Sequence, residues 1–215
     1  MVRIVPTVVG DARVTEFGVA GAEAVLVLGH GAGGGVEAAD LRALAEALPE
    51  RGIGVVLAEQ PWRVAGRRVA PAPKTLDEGW RPVMAELTGS GVPVFAGGRS
   101  AGARVACRTA TETGAAGVLA LAFPLHPPGK PERSRAEELL GSGVPTLVVQ
   151  GGADTFGTPG EFPELPAGHR LVEVPYGGHG FKVPKRAPVT EEETLALITG
   201  AVGDWILERL RDPRG

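Results

Sequence analysis

The chain has 215 residues, of which 43% are hydrophobic and 22% are charged, and its formal net charge at pH 7 is −3. This length suits one domain with a sizeable core and is short for two, so we expect a single domain over residues 1–215. The small net charge, without a block of Lys and Arg, gives no reason to expect a nucleic-acid partner. Because Cys107 is the only cysteine, an intrachain disulfide and a cysteine-rich zinc site are excluded.

The first segment, MVRIVPTVVGDARV, is apolar but is interrupted by Pro6, Gly10 and Asp11. It is too short and too broken for a signal peptide or a membrane span, so we expect a cytoplasmic protein without a membrane partner. The runs VRIVPTVV and ARVTEFGVA alternate apolar and polar residues. This alternation predicts an antiparallel hairpin at the edge of a sheet.

Short apolar runs with the length and residue types of buried parallel strands follow. They are EAVLVLGHG (23–31), GVVLAEQ (54–60), GVPVFAGG (91–98), GVLALAFPL (117–125), VPTLVVQGG (144–152) and HRLVEVP (169–175). Segments with helical spacing lie among them, over 36–52, 100–114 and 190–210, the last with Thr190 as a candidate N-cap. This alternation predicts an α/β fold with a mostly parallel sheet, helices on both faces and a functional site at the carboxyl ends of the strands.

Residues 94–102, VFAGGRSAG, place a serine where a predicted strand meets a helix. Gly98 and Gly102 flank Ser100 in the pattern G-x-S-x-G, whose small residues allow the strand and the helix to come very close. Such a corner exposes the hydroxyl at a helix N-terminus, where backbone N–H groups favour a developing oxyanion. The pattern is short enough to arise by chance, so a bystander serine in a glycine-rich turn is the alternative.

Histidine and aspartate also follow predicted strands. His179, in PYGGHGF, is the candidate general base, and Asp154, directly after TLVVQGGA, is the candidate acid that would orient it. The alternatives are a loop histidine without a role and an aspartate that caps a turn. Of the other histidines, we expect His169 to be a solvated turn residue and His30 to brace its loop, whereas His126 either lines a pocket or has a structural role.

The loop GHGAGGG (29–35) follows the first predicted parallel strand. In a hydrolase sheet such a loop supplies the second oxyanion donor, the first being the N–H of the residue after the nucleophile. This predicts the N–H of Ala101 together with that of Ala32, with Gly33 as the next choice. Residues 29–34 also satisfy G-x-G-x-x-G, and Glu59 stands where a dinucleotide-binding fold places its ribose ligand. That alternative leaves the serine, aspartate and histidine at the strand ends unexplained.

Five motifs together resemble the small, capless α/β hydrolases of the KANL3/Tex30 type, which are close to dienelactone-hydrolase-like proteins. The motifs are HGAGGG (30–35), GGRSAGARVA (97–106), FPLHPPGKPE (123–132), LVVQGGADTFG (147–157) and GGHGFK (177–182). The resemblance implies an α/β-hydrolase fold without a separate cap domain, with Ser100, Asp154 and His179 at the triad positions. Dienelactone hydrolases proper use a cysteine nucleophile, and this chain departs from them in having Ser100 at the elbow. Cys107, about 10 Å further along the helix axis, is expected to be a buried packing residue.

We therefore expect a carboxylesterase-like serine hydrolase that acts on a small-molecule ester or related acyl substrate through an acyl-enzyme, without a cofactor or metal. Arg99, Gly33 and His126 are candidates for lining the pocket. The segment 58–80, dense in Arg and Pro, is expected to be a long loop and a candidate cover for the site. Its charges form either a positive rim that favours an anionic substrate or solvated loop charge. The alternative function is a catalytically weak or inactive binding or scaffold module.

Overall fold

The computed structural model describes residues 1–89 and 91–211. Its strands are β1 (Val2–Thr7), β2 (Gly10–Phe17), β3 (Ala24–Gly29), β4 (Ile53–Glu59), β5 (Val94–Arg99), β6 (Val118–Leu121), β7 (Thr146–Gly151) and β8 (His169–Val174). Its α-helices are α1 (Ala39–Ala47), α2 (Pro61–Val64), α3 (Pro73–Leu87), α4 (Ala101–Thr109), α5 (Ala136–Leu140) and α6 (Glu191–Arg211). Short 3-10 turns cover Leu48–Arg51 and Pro159–Glu161.

The strands form one eight-stranded sheet in the order β1-β2-β4-β3-β5-β6-β7-β8. β1 pairs with β2, and β2 with β4, in antiparallel fashion, which confirms the predicted hairpin at the sheet edge. The pairs from β4 through β3, β5, β6 and β7 to β8 are all parallel. The carboxyl ends of these six strands therefore meet along one edge of the sheet, as the sequence predicts.

The central strands are buried because helices cover both faces of the sheet. All six residues of β3 are buried, and alternate residues contribute to different cores. Leu26 and Leu28 pack in the core that contains residues of α1 and α6, whereas Val25 and Val27 pack in the core that contains residues of α3, α4 and α5. This burial on both faces explains why the central strands are continuous apolar runs in the sequence.

The segment 58–80 corrects the prediction of one long loop. It contains α2 and the first half of α3, and each of these helices begins with a proline, at Pro61 and Pro73. Proline suits the first helical position because its missing N–H would have no partner there. The buried face of α3 follows helical spacing and comprises Leu76, Asp77, Gly79, Trp80, Val83, Met84 and Leu87. The sequence interpretation treated Arg and Pro as loop signals and overlooked this spacing.

The predicted C-terminal helix is confirmed as α6, with Thr190 as its N-cap. The Thr190 Oγ1 accepts the N–H of Glu193 at 3.1 Å, and the Thr190 N–H donates to the Glu193 carboxylate at 2.8 Å. This reciprocal pair satisfies two backbone donors at the start of the helix. In the described part of the chain, neither this helix nor any other has the length and apolar character needed to span a membrane.

Candidate active site

Ser100 lies between β5 and α4 with φ of 54° and ψ of −109°, a conformation that non-glycine residues rarely adopt. The two flanking glycines explain how this corner fits. A Cβ added to Gly98 would lie 2.6 Å from the carbonyl oxygen of Gly29, and one added to Gly102 would lie 2.5 Å from the same oxygen. Only glycine permits this close approach of α4 to β3, and the approach places Ser100 at the carboxyl edge of the sheet.

The structure brings the three predicted residues Ser100, His179 and Asp154 into one hydrogen-bonded chain. His179 Nε2 is 2.9 Å from Ser100 Oγ, and His179 Nδ1 is 2.9 Å from Asp154 Oδ2 and 3.1 Å from Oδ1. With Asp154 ionised, the Nδ1–H donates to the carboxylate and Nε2 is free to accept the serine proton. This tautomer suits an imidazole that acts as a base toward the serine hydroxyl.

Asp154 is 1% exposed, so its carboxylate depends on hydrogen bonds for its stability. The Phe156 N–H donates to Oδ1 at 2.8 Å, and Gln150 Nε2 donates to Oδ2 at 3.0 Å. Both donors belong to β7 or to the turn that follows it. Asp154 therefore forms a turn, as the alternative describes, and is hydrogen-bonded to His179 at the same time.

Phe156 is a site residue that the sequence analysis missed. Its ring stacks on the His179 imidazole with a centroid separation of 4.1 Å and an interplanar angle of 29°. The His179 side chain is 23% exposed, so this contact shields one face of the ring and restricts its rotation. The available signal is an aromatic residue two positions after an aspartate in the turn that follows a strand.

The loop between β3 and α1 lies against the elbow, because a Cβ added to Gly31 would be 3.5 Å from Ser100 Cβ. The N–H of Ala101, the first residue of α4, has no partner within the helix. The N–H of Ala32 makes no backbone hydrogen bond to another described residue. Ala32 and Gly33 are both exposed, but Ala32 lines the same crevice as Ala101 and Gly33 does not. The arrangement favours Ala32 over Gly33 as the second donor.

His30 braces this loop. Its Nδ1–H donates to the Gly31 carbonyl at 2.9 Å, and its Nε2 accepts the Gln60 N–H at 3.1 Å. The ring also lies 5.5 Å from the Trp62 ring, centroid to centroid. Burial lowers the pKa of His30, which keeps the imidazole neutral and its Nε2 able to accept. Its contacts match the expected bracing role.

A narrow crevice of about 10 Å³ is lined in part by Ala101 and Gly102, the two residues that follow Ser100 in the chain. The rest of its lining includes glycine and alanine residues of the β3–α1 loop and apolar side chains, among them Trp62, Leu76, Trp80 and Val105. A space of this volume holds one water-sized group. The crevice is therefore a small, mostly apolar recess next to the two candidate oxyanion donors.

Arg99, predicted to line the pocket, binds two protein groups. Its Nη1 is 3.2 Å from Asp40 Oδ1 in α1, and its Nη2 donates to the His179 carbonyl at 2.9 Å. Arg99 also borders a surface groove of about 350 Å³ together with Gly180, Phe181 and other residues. It thus lies beside the site, but its guanidinium already has two protein partners.

The other histidines have partners outside the Ser100 chain. His126 is 2.9 Å through Nδ1 from the Pro127 carbonyl and 3.0 Å through Nε2 from the Glu161 carboxylate, and these hydrogen bonds raise its pKa. They favour the structural role over pocket lining. His169 corrects the expectation of a solvated turn residue: it is half-buried, and its Nε2 lies 3.2 Å from Ser142 Oγ.

Three further sequence interpretations have clear outcomes. Glu59, the ribose ligand of the dinucleotide alternative, forms an ion pair with Arg13 of β2. Cys107 is buried, and burial raises the pKa of its thiol to about 12, which suits a packing residue. Arg67 and Arg68, two of the charges interpreted as either a positive rim or solvated loop charge, are exposed and lie in the irregular stretch between α2 and α3.

Within the described parts of the chain, no group of three or more His, Cys, Asp or Glu side chains could hold a metal ion.

A model of the alpha/beta hydrolase domain family matches residues 22–207 of this chain. No curated protein gives a significant sequence match. Among solved structures, the chain is similar to XC6422 from Xanthomonas campestris, described as an a/b serine hydrolase without lid. The two share 20% identity with a TM-score of 0.73, and the match covers 97% of this chain and 94% of that one.

Two further structures are similar over almost the whole chain. Est1E from Butyrivibrio proteoclasticus, solved with ferulic acid, shares 15% identity and covers 98% of this chain and 100% of its own, with a TM-score of 0.74. A dienelactone hydrolase from Anabaena variabilis shares 19% identity and covers 97% of this chain and 96% of its own, with a TM-score of 0.74. The predicted α/β-hydrolase fold is confirmed, with no separate cap domain among the described residues.

Proposed function

The chain belongs to the alpha/beta hydrolase domain family, and we propose that it is a serine hydrolase that cleaves an ester or a related acyl substrate. One observation carries the proposal. His179 is hydrogen-bonded to Ser100 Oγ at 2.9 Å on one side and to the buried Asp154 carboxylate at 2.9 Å on the other. A nucleophile within reach of a base, with the base oriented by a third group, is the arrangement that covalent acyl transfer requires.

In the proposed reaction His179 Nε2 takes the proton of Ser100 as Oγ attacks the acyl carbonyl carbon. The N–H groups of Ala32 and Ala101 stabilise the resulting oxyanion. The imidazolium, stabilised by Asp154, then donates its proton to the departing alcohol oxygen, which leaves an acyl-Ser100 ester. His179 next deprotonates a water molecule that attacks this ester, and Ser100 regains a proton as the acid is released.

A short acyl group suits the crevice that the two candidate oxyanion donors line. The crevice next to Ala32 and Ala101 has a volume of about 10 Å³, which holds one water-sized group, comparable with the methyl group of an acetyl ester. The groove of about 350 Å³ lies beside the loop that carries His179, and His179 is the residue that protonates the leaving group in the proposed reaction. We expect kcat/KM to fall from p-nitrophenyl acetate through butyrate to octanoate. A preference for octanoate would contradict this substrate class without contradicting the hydrolase.

The main test is covalent labelling of Ser100. A fluorophosphonate probe should label the purified protein at Ser100, located by mass spectrometry, and the protein should hydrolyse p-nitrophenyl acetate. Ser100→Ala should abolish both, whereas Ser134→Ala, which changes an exposed serine, should change neither. A folded protein that takes no label and hydrolyses no ester would instead be the non-catalytic binding module.

Two narrower assignments belong to the same proposal: the KANL3/Tex30 type within the family, and the carboxylesterase class of activity. The first is supported by the places of HGAGGG and GGRSAG at neighbouring strand ends, where the structure has the β3–α1 loop and the elbow. The second is supported by the serine nucleophile and by the small acyl recess. The carboxylesterase assignment is tested by comparing the hydrolysis rates of an ester and an amide that carry the same acyl group.

A further inference from the structure

Arg99, the residue before Ser100, connects two separate parts of the molecule through its side chain. It ends β5, and its side chain reaches both α1 and the loop between β8 and α6. Nη1 pairs with Asp40 Oδ1 at 3.2 Å, and Nη2 donates to the carbonyl oxygen of His179 at 2.9 Å. One side chain, directly beside the nucleophile, therefore holds the backbone of the residue proposed as the base.

The Asp40 end of this connection is firmly anchored. Asp40 lies in the first turn of α1 and is 1% exposed. Its Oδ2 has no hydrogen-bond partner among the described residues, and Arg99 is its ion-pair partner through Oδ1. A buried carboxylate without a cation is costly, so Asp40 holds the guanidinium in place. Burial raises the pKa of Asp40, and the charge of Arg99 opposes that rise.

The His179 end of this connection lies in the loop between β8 and α6. The imidazole is held by Asp154, but the backbone that carries it belongs to a loop rich in glycine. Backbone bonds near His179 run from the Ala153 N–H to the Gly177 carbonyl at 2.9 Å, from the Gly177 N–H to the Val174 carbonyl at 3.1 Å, from the Gly178 N–H to the Lys182 carbonyl at 3.1 Å and from the Phe181 N–H to the Gly178 carbonyl at 2.8 Å. Among the described residues, none of these backbone bonds is made by His179 itself. The bond from Arg99 is made to the carbonyl of His179 itself.

We propose that Arg99 is a positioning residue, which sets the distance from His179 Nε2 to Ser100 Oγ by fixing the His179 backbone to Asp40. This inference rests on the proposed serine hydrolase function. Arg99 does not act on the substrate: its two hydrogen bonds go to protein groups, and it works through the base. A displacement of about 1 Å in a reacting group can lower the rate about a hundredfold.

The test compares Arg99→Gln, Arg99→Lys and the double variant Arg99→Gln/Asp40→Asn. Arg99→Gln should lower kcat for p-nitrophenyl acetate about tenfold to a hundredfold, with KM changed less than about twofold. It should also lower the melting temperature, because Asp40 loses its cation. Adding Asp40→Asn should restore the melting temperature but not kcat. Arg99→Lys keeps the charge but not the two-pronged geometry, so its kcat should lie in between.

Arg108→Gln is the matched control. The Arg108 side chain is 19% exposed, as is that of Arg99, and it likewise has two protein partners, Asp77 and Glu138. We expect this variant to lose stability while each folded molecule keeps its kcat. A loss of kcat equal to that of Arg99→Gln would show that the effect is one of general stability.

A spectroscopic readout needs no substrate. The downfield NMR resonance of the His179 Nδ1–H, identified by its absence in His179→Ala, should broaden in Arg99→Gln and persist in Arg108→Gln. The proposal is wrong if Arg99→Gln keeps both this resonance and kcat, if the double variant recovers kcat together with stability, or if KM rises while kcat is unchanged. Failure of the hydrolase proposal is recognised separately, because the wild-type protein would then show no hydrolysis that depends on Ser100. The His179 Nδ1–H resonance would still show whether Arg99 positions His179.

Discussion

The nucleophile and the base of the proposed site are held by different means. Ser100 lies in an elbow whose two glycines pack against the backbone of β3, so its position follows from the path of its own chain. His179 lies in a loop and is held by groups from elsewhere, namely Asp154, Phe156 and Arg99. Changes at the elbow should therefore impair folding first, and changes around His179 should impair activity in a protein that still folds.

The largest expected effect is on activity, from Asp154→Asn. An asparagine amide can donate to Nδ1, which would place the imidazole proton on Nε2 and leave no acceptor for the Ser100 hydroxyl. We expect kcat/KM for p-nitrophenyl acetate to fall about 10⁴-fold, with a stability loss of about 1–2 kcal/mol. Asp204→Asn, at an aspartate with an exposed side chain, is the control. Retention of a tenth or more of the activity would contradict the role of Asp154.

The elbow is tested by Gly102→Ala. The new Cβ would lie 2.5 Å and 2.6 Å from the carbonyl oxygen and carbon of Gly29, and backbone atoms cannot move aside as a flexible side chain can. We expect a loss of about 3 kcal/mol in the free energy of unfolding, measured with urea. Gly200→Ala in α6 is the matched control, because nothing lies within 4 Å of its Cβ. It should leave stability equal or higher.

The loop that carries Ala32 is tested by pH, through His30→Gln. Burial lowers the folded-state pKa of His30, so the unfolded chain binds a proton first as the pH falls, and wild type loses stability below about pH 6.5. Glutamine keeps an acceptor for the Gln60 N–H and does not titrate. We expect the variant to be about 1 kcal/mol less stable than wild type near pH 8, and the gap to narrow toward about pH 5.5.

Urea unfolding at the two pH values measures this gap. His126 and His169 are present in both chains, so their titration cancels in the difference. A gap that widens as the pH falls would contradict the neutral, hydrogen-bonded state of His30.

The smallest expected effect comes from Phe156→Leu, which removes the stacked ring but keeps an apolar side chain and the backbone N–H that binds Asp154. The stacking contact is worth about 0.5–1.5 kcal/mol, so kcat/KM should fall about threefold. Phe162→Leu makes the same change outside the site and should leave kcat/KM unaltered. Equal effects of the two substitutions would show that the ring of Phe156 does not assist His179.

The strand ends of the site could be predicted from the sequence, whereas the segment 58–80 could not. Each central strand is an apolar run of its own, and the few residues after it can be read directly, which is why Ser100, Asp154 and His179 could be named as candidates. The large number of Arg and Pro residues in 58–80 led to the prediction of a loop. Their positions allow α2 and α3, because proline stands at the first helical position and the apolar residues follow helical spacing.

By itself, the sequence determined the α/β class, the parallel sheet and the three residues at its carboxyl edge, because burial pattern and turn residues are local properties of the chain. Only the tertiary structure decided what surrounds them. The stacking of Phe156 on His179, the brace from His30 to Gln60 and the bridge of Arg99 to Asp40 depend on how loops pass one another. Those paths are set by packing between elements far apart in the chain, which no local periodicity records.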